Sequence, residues 1–501
     1  MSGIMNQREM EWRPDLLERA QRCWEGMSRF RIERERCKRF TYGDQWSDEV
    51  PSEFGALTES DYLISQGNIP LTNNLIRRLV RNVLGVFRNQ WALPHCVARD
   101  PAEQREAEIM DRLLEYNIDR NRMEELYART MEEFLISGMA VHRKWFGRQG
   151  GHSDCHTDFV SPTKFFFDRG SRDFRSRDIS IIGEVHDMEL EDLCASFARS
   201  EEEYVSLYKL YDAMQGRGPG FGGYAVGGTA SRSCRVIEVW RKEYIPRHAG
   251  ERWMMEERWH YYFLTPEGYV LAKGETPYDH GSHPYAVKAY PFIDGEIHSF
   301  VSDIIDQQKF TNRLITMYDW ILRSSAKGVL LFPEDALPAG LNISDVAKEW
   351  SRFNGVIMYK HKDGGAAPQQ VHSNLSNLGI TDLLAIQMNM MEDISGVNGA
   401  LQGKLESNSM SGTLYSQQTQ NSLTALADML RTYNDFIAEC SAKDISNMRQ
   451  FYSPQMVSSI LGESLPLADR ENFFDSSLDF SIRIGKATGG LQTGEERINA
   501  H

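Results

Sequence analysis

The chain has 501 residues, of which 41% are apolar and 25% are charged, and its formal net charge is -15. This length and composition exclude a disordered or fibrous protein and are enough for about three domains with hydrophobic cores. The negative charge argues against a protein that grips nucleic acid tightly, because such binding depends on Lys and Arg neutralising phosphates. Transient contact with DNA remains compatible with this acidity.

No stretch of the sequence predicts a membrane span or a secretory signal. No window of about 18 apolar residues exists, and the N-terminal residues MSGIMNQREMEW carry charges where a signal peptide needs an apolar run. The seven cysteines are an odd number without regular spacing, which is typical of free thiols in a reducing compartment. We therefore expect a protein that neither spans a membrane nor is secreted by the usual route.

Helical patterns dominate the chain up to residue 139. Apolar residues at three- and four-residue spacing predict an N-terminal helix in the first forty residues. A second helix is predicted after Pro70, with Thr72 or Asn73 as its N-terminal cap, and a third helical region over 101–139 ends near Gly138. The arginines of the second helix suit either a nucleic-acid contact or an ordinary solvated or subunit-facing surface.

The pattern changes after residue 139. Short segments rich in Val, Ile, Phe, Tyr and Trp, partly alternating with polar residues, predict the strands of an α+β domain. Between them, residues 216–233 include the spacing G-x-G-x-x-G at Gly218, Gly220 and Gly223. No predicted strand precedes this motif and no predicted helix follows it, so the pattern favours a loop over a dinucleotide site.

The remaining motifs give little support to the hypothesis that the chain is an enzyme. Residues 398–405 contain a Gly-Lys pair, but they begin with Asn and end with Leu, where a P-loop needs Gly and then Ser or Thr. His152, Cys155 and His156 could supply three zinc ligands, but a fourth ligand at suitable spacing is missing. Neither H-E-x-x-H nor G-x-S-x-G occurs in the sequence. The sequence therefore predicts no catalytic residue, no metal site and no cofactor.

The second half of the chain is mainly helical and contains a small insert. Residues 295–325 predict a rod of about 28 residues, roughly 42 Å long. Its polar notch, Asp-Gln-Gln at 306–308, suggests a helix packed against like neighbours and not sunk in a dry core. The insert predicts a strand, a helix and a second strand, whose end or turn lies at Gly364 and Gly365.

A second rod follows the insert over residues 376–394. The stretch SGVNGALQGKLESNSMSG at 395–412 then predicts a loop rich in Gly, Ser and Asn, and a long helix broken by Pro454 comes after it. The chain holds one more predicted strand within the segment SSLDFSIRI near its end. Together these patterns predict an α+β fold that is mainly helical.

Five motifs carry a resemblance to a known family. They are F-T-Y-G-D-Q-W (Phe40–Trp46), N-L-I-R-R-L-V-R-N-V-L-G (Asn74–Gly85), S-P-T-K-F-F-F-D (Ser161–Asp168), D-Q-Q-K-F-T-N-R (Asp306–Arg313) and S-G-V-N-G-A-L-Q-G (Ser395–Gly403). With these motifs and this order of elements, the chain resembles the portal proteins of tailed bacteriophages, specifically the P22-like group. The resemblance extends over nearly the whole chain, and the glycine-rich residues 216–233 depart from it.

The resemblance implies a portal-type fold in six parts. Residues 1–293 would form the wing, 294–325 the first stem helix, 326–375 a small α/β clip, 376–394 the second stem helix, 395–412 a tunnel loop, and 413–501 a long inner wing helix with the crown or C-terminal part. Portal proteins form rings, typically of twelve subunits, around a channel at one capsid vertex. Double-stranded DNA is packaged and later ejected through that channel.

The resemblance also implies roles for particular residues. The tunnel loop would touch passing DNA without sequence specificity through Gly396, Asn398, Gly399, Gln402, Gly403, Lys404, Ser407, Asn408 and Ser409. Its glycines would let the loop shift, and Lys404 would contact a phosphate or else be solvated or face another subunit. The clip would contact an acidic partner or DNA through Lys348, Arg352, Lys360, His361 and Lys362, which are equally compatible with ordinary surface charge.

The partners implied by the resemblance are further copies of the chain, the major capsid and scaffolding proteins, the large terminase subunit and the head-tail adaptor. The implied location is the portal vertex of the virion, after synthesis in the host cytoplasm, and neither catalysis nor membrane association is expected. The acidity of the chain would keep DNA from adhering to the channel wall. Two alternatives stay open, namely another head-tail adaptor or ring protein of the virion and a cytoplasmic nucleotide-binding enzyme.

Overall fold

The chain divides into two compact units. The computed structural model describes residues 11–51, 55, 57–168, 170, 173, 178–214, 233–249, 252–293, 295–327, 329–351, 356–361, 366–371, 379–397, 424–464, 466, 473–474 and 480–484. The first unit comprises Met1–Thr41, Arg77–Asp303 and Gly396–His501, and the second comprises Tyr42–Ile76 and Ile304–Ser395. Each unit is thus assembled from segments that are distant in the sequence.

Helices and strands are numbered here along the described residues. The helices are α1 (Pro14–Gly26), α2 (Ser28–Tyr42), α3 (Glu59–Ser65), α4 (Leu75–Asn89), α5 (Gln104–Arg120), α6 (Met123–Ser137), α7 (Leu190–Phe197), α8 (Glu201–Met214), α9 (Ile305–Lys327), α10 (Ile343–Ser351), α11 (Ile380–Ser395), α12 (Ala427–Phe451) and α13 (Pro454–Leu461). The strands are β1 (Glu49–Val50), β2 (Leu57–Thr58), β3 (Pro94–Ala98), β4 (Met139–Gln149), β5 (His152–Phe159), β6 (Phe165–Phe167), β7 (Ile181–Glu189), β8 (Ser233–Ala249), β9 (Arg252–Leu264), β10 (Val270–Glu275), β11 (Tyr285–Ala289), β12 (Phe292–Ile293), β13 (Glu296–Ile297), β14 (Val329–Leu331), β15 (Gln369–Val371) and β16 (Phe480–Ile484).

Two antiparallel sheets form the centre of the first unit. The larger sheet has the strand order β10-β9-β8-β7-β6, and the smaller has the order β11-β4-β5. Apolar side chains from both sheets and from α1 share one buried core, because alternation along each strand places every second side chain on the same face. The predicted α+β class is confirmed, and these strands lie in or overlap predicted segments except β11, which the sequence patterns did not identify. β5 and β6 divide one predicted segment between them.

Helix α1 packs against the larger sheet through apolar side chains spaced one turn apart. Leu16, Ala20 and Trp24 are buried on this face. The Trp24 ring meets the ring of Phe166 on β6 edge to face, with the ring centroids 6.2 Å apart. The apolar periodicity of the N-terminal segment therefore serves the core of the first unit.

Two predicted helical regions are each broken into a pair of helices. α1 ends at Gly26, a poor helix former, before α2 begins. The region 101–139 forms α5 and α6, because Arg122 between them adopts a left-handed conformation with φ of 50°. The predicted end near Gly138 is confirmed. Its φ is +78°, and a Cβ atom here would lie 2.1 Å from the carbonyl oxygen of His298, so only glycine fits.

Helix α12 covers the smaller sheet and contributes a buried charge to it. Tyr433 and Phe436 are fully buried, and the Tyr433 hydroxyl donates to the backbone carbonyl oxygen of Tyr127 at 2.6 Å. Lys144 on β4 and Asp444 on α12 form an ion pair with 2.6 Å between Nζ and Oδ2. Both side chains of this pair are almost entirely buried, so the contact between helix and sheet depends on their charges matching.

Two C-terminal predictions are confirmed, namely the helix break at Pro454 and the last strand, whereas the predicted start of the long helix at residue 413 lies outside the described residues. α12 ends at Phe451 and α13 begins at Pro454, whose ring suits the first turn of a helix and cannot continue the preceding one. Ser453 caps α13, with its Oγ accepting from the N–H of Met456 at 3.2 Å. The last predicted strand is β16, which pairs antiparallel with β3 from the N-terminal half of the chain.

The second unit contains the two helices that the sequence predicted as rods, and α9 packs against α11. α9 runs for 23 residues, or about 35 Å. The predicted start at residue 295 is wrong, because α9 begins at Ile305. The residues before it form β12, β13 and a short 3-10 turn, and Gly295 takes a positive φ of 80° in the turn that ends one strand and begins the next.

The insert between α9 and α11 has the predicted order of strand, helix and strand. β14 and β15 pair antiparallel, and α10 lies between them in the chain. The second strand is β15 and not the apolar run 356–361 that precedes Gly364 and Gly365, which themselves lie outside the described residues. Within 356–361 the backbone N–H of Lys360 instead donates to the carbonyl oxygen of Ala336 at 2.8 Å.

Candidate functional site

A buried polar network holds the beginning of α9 inside the second unit. Gln308 is fully buried, and its Oε1 accepts from the backbone N–H groups of Leu75 (2.9 Å) and Ile76 (3.2 Å). α4 begins at Leu75, so these amides have no partner within their own helix. Gln308 therefore satisfies the helix start in place of the predicted cap at Thr72 or Asn73.

The network continues one turn along α9. Asn312 Nδ2 donates to Gln45 Oε1 at 2.6 Å, and Asn312 Oδ1 accepts from Gln308 Nε2 at 2.9 Å. Beside it, Lys309 Nζ pairs with a carboxylate oxygen of Glu59 at 2.7 Å. The prediction that this polar notch faces like neighbours is thus wrong for Gln308, because its side chain makes its hydrogen bonds within the chain.

Three of the five motifs that carry the resemblance meet in this network. Gln45 comes from the first motif, Leu75 and Ile76 from the second, and Gln308 and Asn312 from the fourth. The sequence model of phage P22-like portal proteins matches residues 17–465. The chain belongs to the phage P22-like portal protein family. A comparison with curated proteins found no match to this chain.

Family membership classes the chain among structural proteins of the phage virion. It confirms the family suggested by the resemblance. None of the helices in the described ranges combines the length and apolar character that crossing a membrane requires.

Helix α11 of this portal-family chain carries an apolar stripe that the structure leaves about half exposed. The stripe recurs at spacings of three and four residues, which places its members on one face of the helix. Its residues are Leu383, Ile386, Met390 and Ile394, each between 42% and 49% exposed. α9 exposes a second apolar set, Phe310, Met317 and Trp320. Sequence periodicity identified both helices, but it cannot show which apolar face lacks a partner within the chain.

The predicted tunnel loop is described only at its beginning. α11 ends at Ser395, and Gly396 follows with a φ of +68°, which glycine adopts without strain. A Cβ atom on Gly396 would lie 3.0 Å from the Cβ of Ala425. The other predicted loop residues, Asn398, Gly399, Gln402, Gly403, Lys404, Ser407, Asn408 and Ser409, lie outside the described residues. The P-loop-like spacing at 398–405 and the glycine motif at 218–223 lie outside them as well.

Part of the predicted clip surface is described. Lys348 on α10, Lys360 and His361 are exposed, whereas Arg352 and Lys362 lie outside the described residues. The hydrogen bond from Lys360 to Ala336 fixes the backbone of 356–361 against the turn after β14. The exposed side chains of Lys360 and His361 therefore project from a backbone segment that this hydrogen bond holds in place.

The same insert exposes large apolar side chains that the sequence analysis did not select. Val356 is 77% and Met358 is 72% exposed, and they lie four and two residues before Lys360 in the chain. Further exposed apolar residues of the insert are Leu331, Leu341, Ile343, Tyr359 and Val371. The run Val-Ile-Met-Tyr at 356–359 belongs to the predicted second strand of the insert, and its apolar character is the sequence signal for this surface. Exposed apolar side chains of this size make the insert a candidate contact surface.

The described residues bring one group of metal-compatible side chains together, and an arginine lies beside it. Glu184 and His186 share a face of β7, and Glu238 lies opposite Glu184 on β8. His186 Nε2 lies 2.7 Å and Arg143 Nη1 lies 3.4 Å from the same carboxylate oxygen of Glu238. Burial lowers the pKa of His186, but the hydrogen bond and charge of Glu238 outweigh burial and raise it. We interpret this group as an ionic network between the two sheets.

The zinc ligands considered at His152, Cys155 and His156 do not converge. All three residues lie on β5, where neighbouring side chains point to opposite faces of the sheet. Cys155 is buried, while the ring of His156 packs on that of Trp145 with the centroids 4.8 Å apart. Burial raises the pKa of the Cys155 thiol, which disfavours the thiolate that zinc requires.

Proposed function

We propose that the chain forms the portal ring at one vertex of the capsid, with a central channel for packaging and ejecting double-stranded DNA. Membership of the P22-like portal family supports this function. The half-exposed apolar stripe of α11 is the observation that supports assembly of the chain into a ring. The ring would contain about twelve copies, as the family resemblance implies, and its role would be structural and not catalytic.

Covering the stripe with a neighbouring copy would drive assembly. Burying a Leu, Ile or Met side chain stabilises by about 1.5–3 kcal/mol, and these four side chains start about half exposed. Their remaining burial would contribute roughly 3–6 kcal/mol per interface before the cost of association. In a ring each copy offers two different surfaces, so the stripe of one copy would meet another face of the next.

Replacing two stripe residues with serine is expected to weaken this contact. The double variant Ile386→Ser/Met390→Ser loses about 1.5–3 kcal/mol per interface, or roughly 10–100-fold in affinity. Mass photometry across a concentration series measures the fraction of chains in rings. The matched control is Val205→Ser on α8, which removes a similarly exposed apolar side chain from the first unit. An unchanged ring fraction in the double variant contradicts this interface.

The six parts implied by the resemblance give the proposed layout of the ring. Residues 1–293 would form the wing, α9 and α11 the stem within 294–325 and 376–394, and 326–375 the clip. Residues 395–412 would line the channel as the tunnel loop, and 413–501 would form the inner wing helix and crown. Lys404 would be the cation of the loop that meets DNA phosphates in passing.

We further propose that the insert docks the large terminase subunit during packaging and the head-tail adaptor afterwards. The exposed apolar pair Val356 and Met358 supports this role, because it lies close in the chain to the exposed side chains of Lys360 and His361. Apolar side chains contribute affinity when a partner buries them, and the positive charge of Lys360 favours a partner with an acidic surface. Capsid and scaffolding proteins would contact the wing.

The double variant Val356→Ser/Met358→Ser is expected to bind the large terminase subunit at least tenfold more weakly. The reason is that two side chains more than 70% exposed in the free chain lose their burial in the complex. Biolayer interferometry with the purified subunit measures this affinity, and mass photometry verifies that rings still form. Ile245→Ser on β8 is the control, since it removes exposed apolar surface from the first unit. Unchanged terminase binding would refute the docking site.

A further inference from the structure

A cavity of about 460 Å³ in the first unit concentrates positive charge in an acidic protein. Lys242 from β8, Lys288 from β11 and Lys443 from α12 line it. Among the described residues that line the cavity, the one carboxylate is Glu439. The chain as a whole carries a net charge of -15, so a local excess of two positive charges runs against the overall balance.

Two of the lining side chains are largely buried, and one of them has a buried ring nitrogen without a hydrogen-bond partner in the described part of the chain. Lys288 is only 8% exposed, and its interaction is with the charge of Glu439. His283 is also 8% exposed, and its Nδ1 has no partner. Leaving a buried polar atom without a hydrogen-bond partner destabilises the folded chain. A ligand that accepts hydrogen bonds in the cavity would remove this cost.

The other two lysines are held in place around the same space. Lys443 Nζ donates to the backbone carbonyl oxygen of His283 at 2.8 Å, and Lys242 Nζ pairs with Glu257 at 3.0 Å. Burial lowers the pKa of Lys443 to about 8, which leaves it mostly protonated at pH 7. An ammonium group has three donors, so Lys443 keeps donors beyond the one bond described. Trp259 also lines the cavity.

We infer that this cavity binds a phosphate group, supplied either by a free phosphorylated compound or by a DNA backbone. Three ammonium groups from three different elements line the cavity together with the imidazole of His283, and their charge favours a small oxyanion that carries more than one negative charge. A volume of about 460 Å³ admits a compound of diphosphate size. The site lies in the first unit on residues other than those of the predicted tunnel loop, so it is a separate binding site.

Calorimetric titration of the full chain with inorganic pyrophosphate, at constant ionic strength, tests the site. We expect binding to the wild type, and we expect Lys288→Gln and Lys443→Gln each to weaken it at least tenfold. Lys209→Gln, which removes an exposed lysine of α8, should bind as the wild type does. Lys443→Gln also removes the bond to His283, so its thermal unfolding is measured in parallel, whereas Lys288→Gln removes no described hydrogen bond. Absence of binding to the wild type, or equal affinity in Lys288→Gln, overturns the inference.

Competition by a short DNA duplex distinguishes the two sources of the phosphate. A duplex that displaces pyrophosphate from the wild type, with an affinity that falls in Lys288→Gln, supports the site with the DNA backbone as its ligand. A duplex that leaves pyrophosphate bound supports the site with a free phosphorylated compound as its ligand. Electrostatic association that is not specific to the cavity would instead weaken equally in Lys209→Gln and Lys288→Gln, which would overturn the proposed site.

Discussion

Lys144→Met is expected to lower the free energy of unfolding of the first unit by about 4 kcal/mol, because it leaves a buried carboxylate without its partner. Lys144 Nζ lies 2.6 Å from Asp444 Oδ2 and 2.8 Å from the hydroxyl of Thr157, and it is fully buried. The methionine fills a similar volume, so the lost ion pair dominates the effect. Thermal and denaturant unfolding, followed by the near-ultraviolet signal of the aromatic core, measure this loss.

The pH dependence of the Lys144→Met variant provides a second check. Burial raises the pKa of Asp444, and the charge of Lys144 opposes this rise. Without the lysine, the folded-state pKa of Asp444 rises further above its unfolded value. Protonation then favours the folded variant as the pH falls, so the deficit of the variant should shrink toward acid pH. A deficit that grows toward acid pH contradicts this assignment.

The control variants separate the pair from simple loss of a lysine. Lys164 pairs with Asp187 at 3.6 Å but is about half exposed, so Lys164→Met should cost less than about 1 kcal/mol. The double variant Lys144→Met/Asp444→Leu should recover most of the stability, because no unpaired buried charge remains. If the double variant is as unstable as the single one, the loss arises from packing and not from the uncompensated carboxylate.

Gln308→Leu is expected to destabilise the start of α4 by about 3 kcal/mol, because three hydrogen bonds to backbone groups are lost. The N–H of Ile76 loses its partner, whereas the N–H of Leu75 and the carbonyl oxygen of Asn73 keep the 2.8 Å hydrogen bond that they make to each other. Leucine keeps the volume of the side chain, so the hydrogen bonds are the main change. Hydrogen–deuterium exchange of the Leu75 and Ile76 amides should accelerate by roughly 100-fold.

Gln307→Leu is the matched control for Gln308→Leu. Gln307 is the preceding residue of α9, is only partly buried, and makes no side-chain hydrogen bond within the described structure. Its replacement should leave exchange at Leu75 and Ile76 within a few-fold of the wild type. Equal protection of these amides in wild type and Gln308→Leu would show that Gln308 is not the group that satisfies the start of α4.

Local patterns predicted much of the fold. The alternation in β4, β7 and β8 identified the strands of the first unit, and Pro454 marked the end of α12. Local chemistry also explains the misplaced boundaries. The left-handed Arg122 and the turn at Gly295 both interrupt segments whose apolar spacing suits a helix. Periodicity records which residues are apolar, but a single unfavourable backbone conformation decides where a helix ends.

Contacts between distant segments could not be predicted in the same way. Gln308 reaches amides 233 residues away, and nothing near Leu75 in the sequence indicates that its helix start depends on α9. The candidate docking surface in the insert shows a second limit of prediction from sequence. The run at 356–359 is apolar enough for a buried strand, yet Val356 and Met358 are exposed. Sequence spacing alone does not reveal whether an apolar face is covered by the chain itself or by a partner.

Electron microscopy of the purified chain, with mass photometry on the same sample, tests the proposed function most directly. The chain alone and the chain mixed with its scaffolding protein should both be measured, since assembly can require a partner. We expect closed rings of about a dozen copies around a central channel, formed through the apolar stripe of α11. Monomers or dimers at every concentration, with and without the scaffolding protein, would contradict the assignment of this chain as a ring-forming portal.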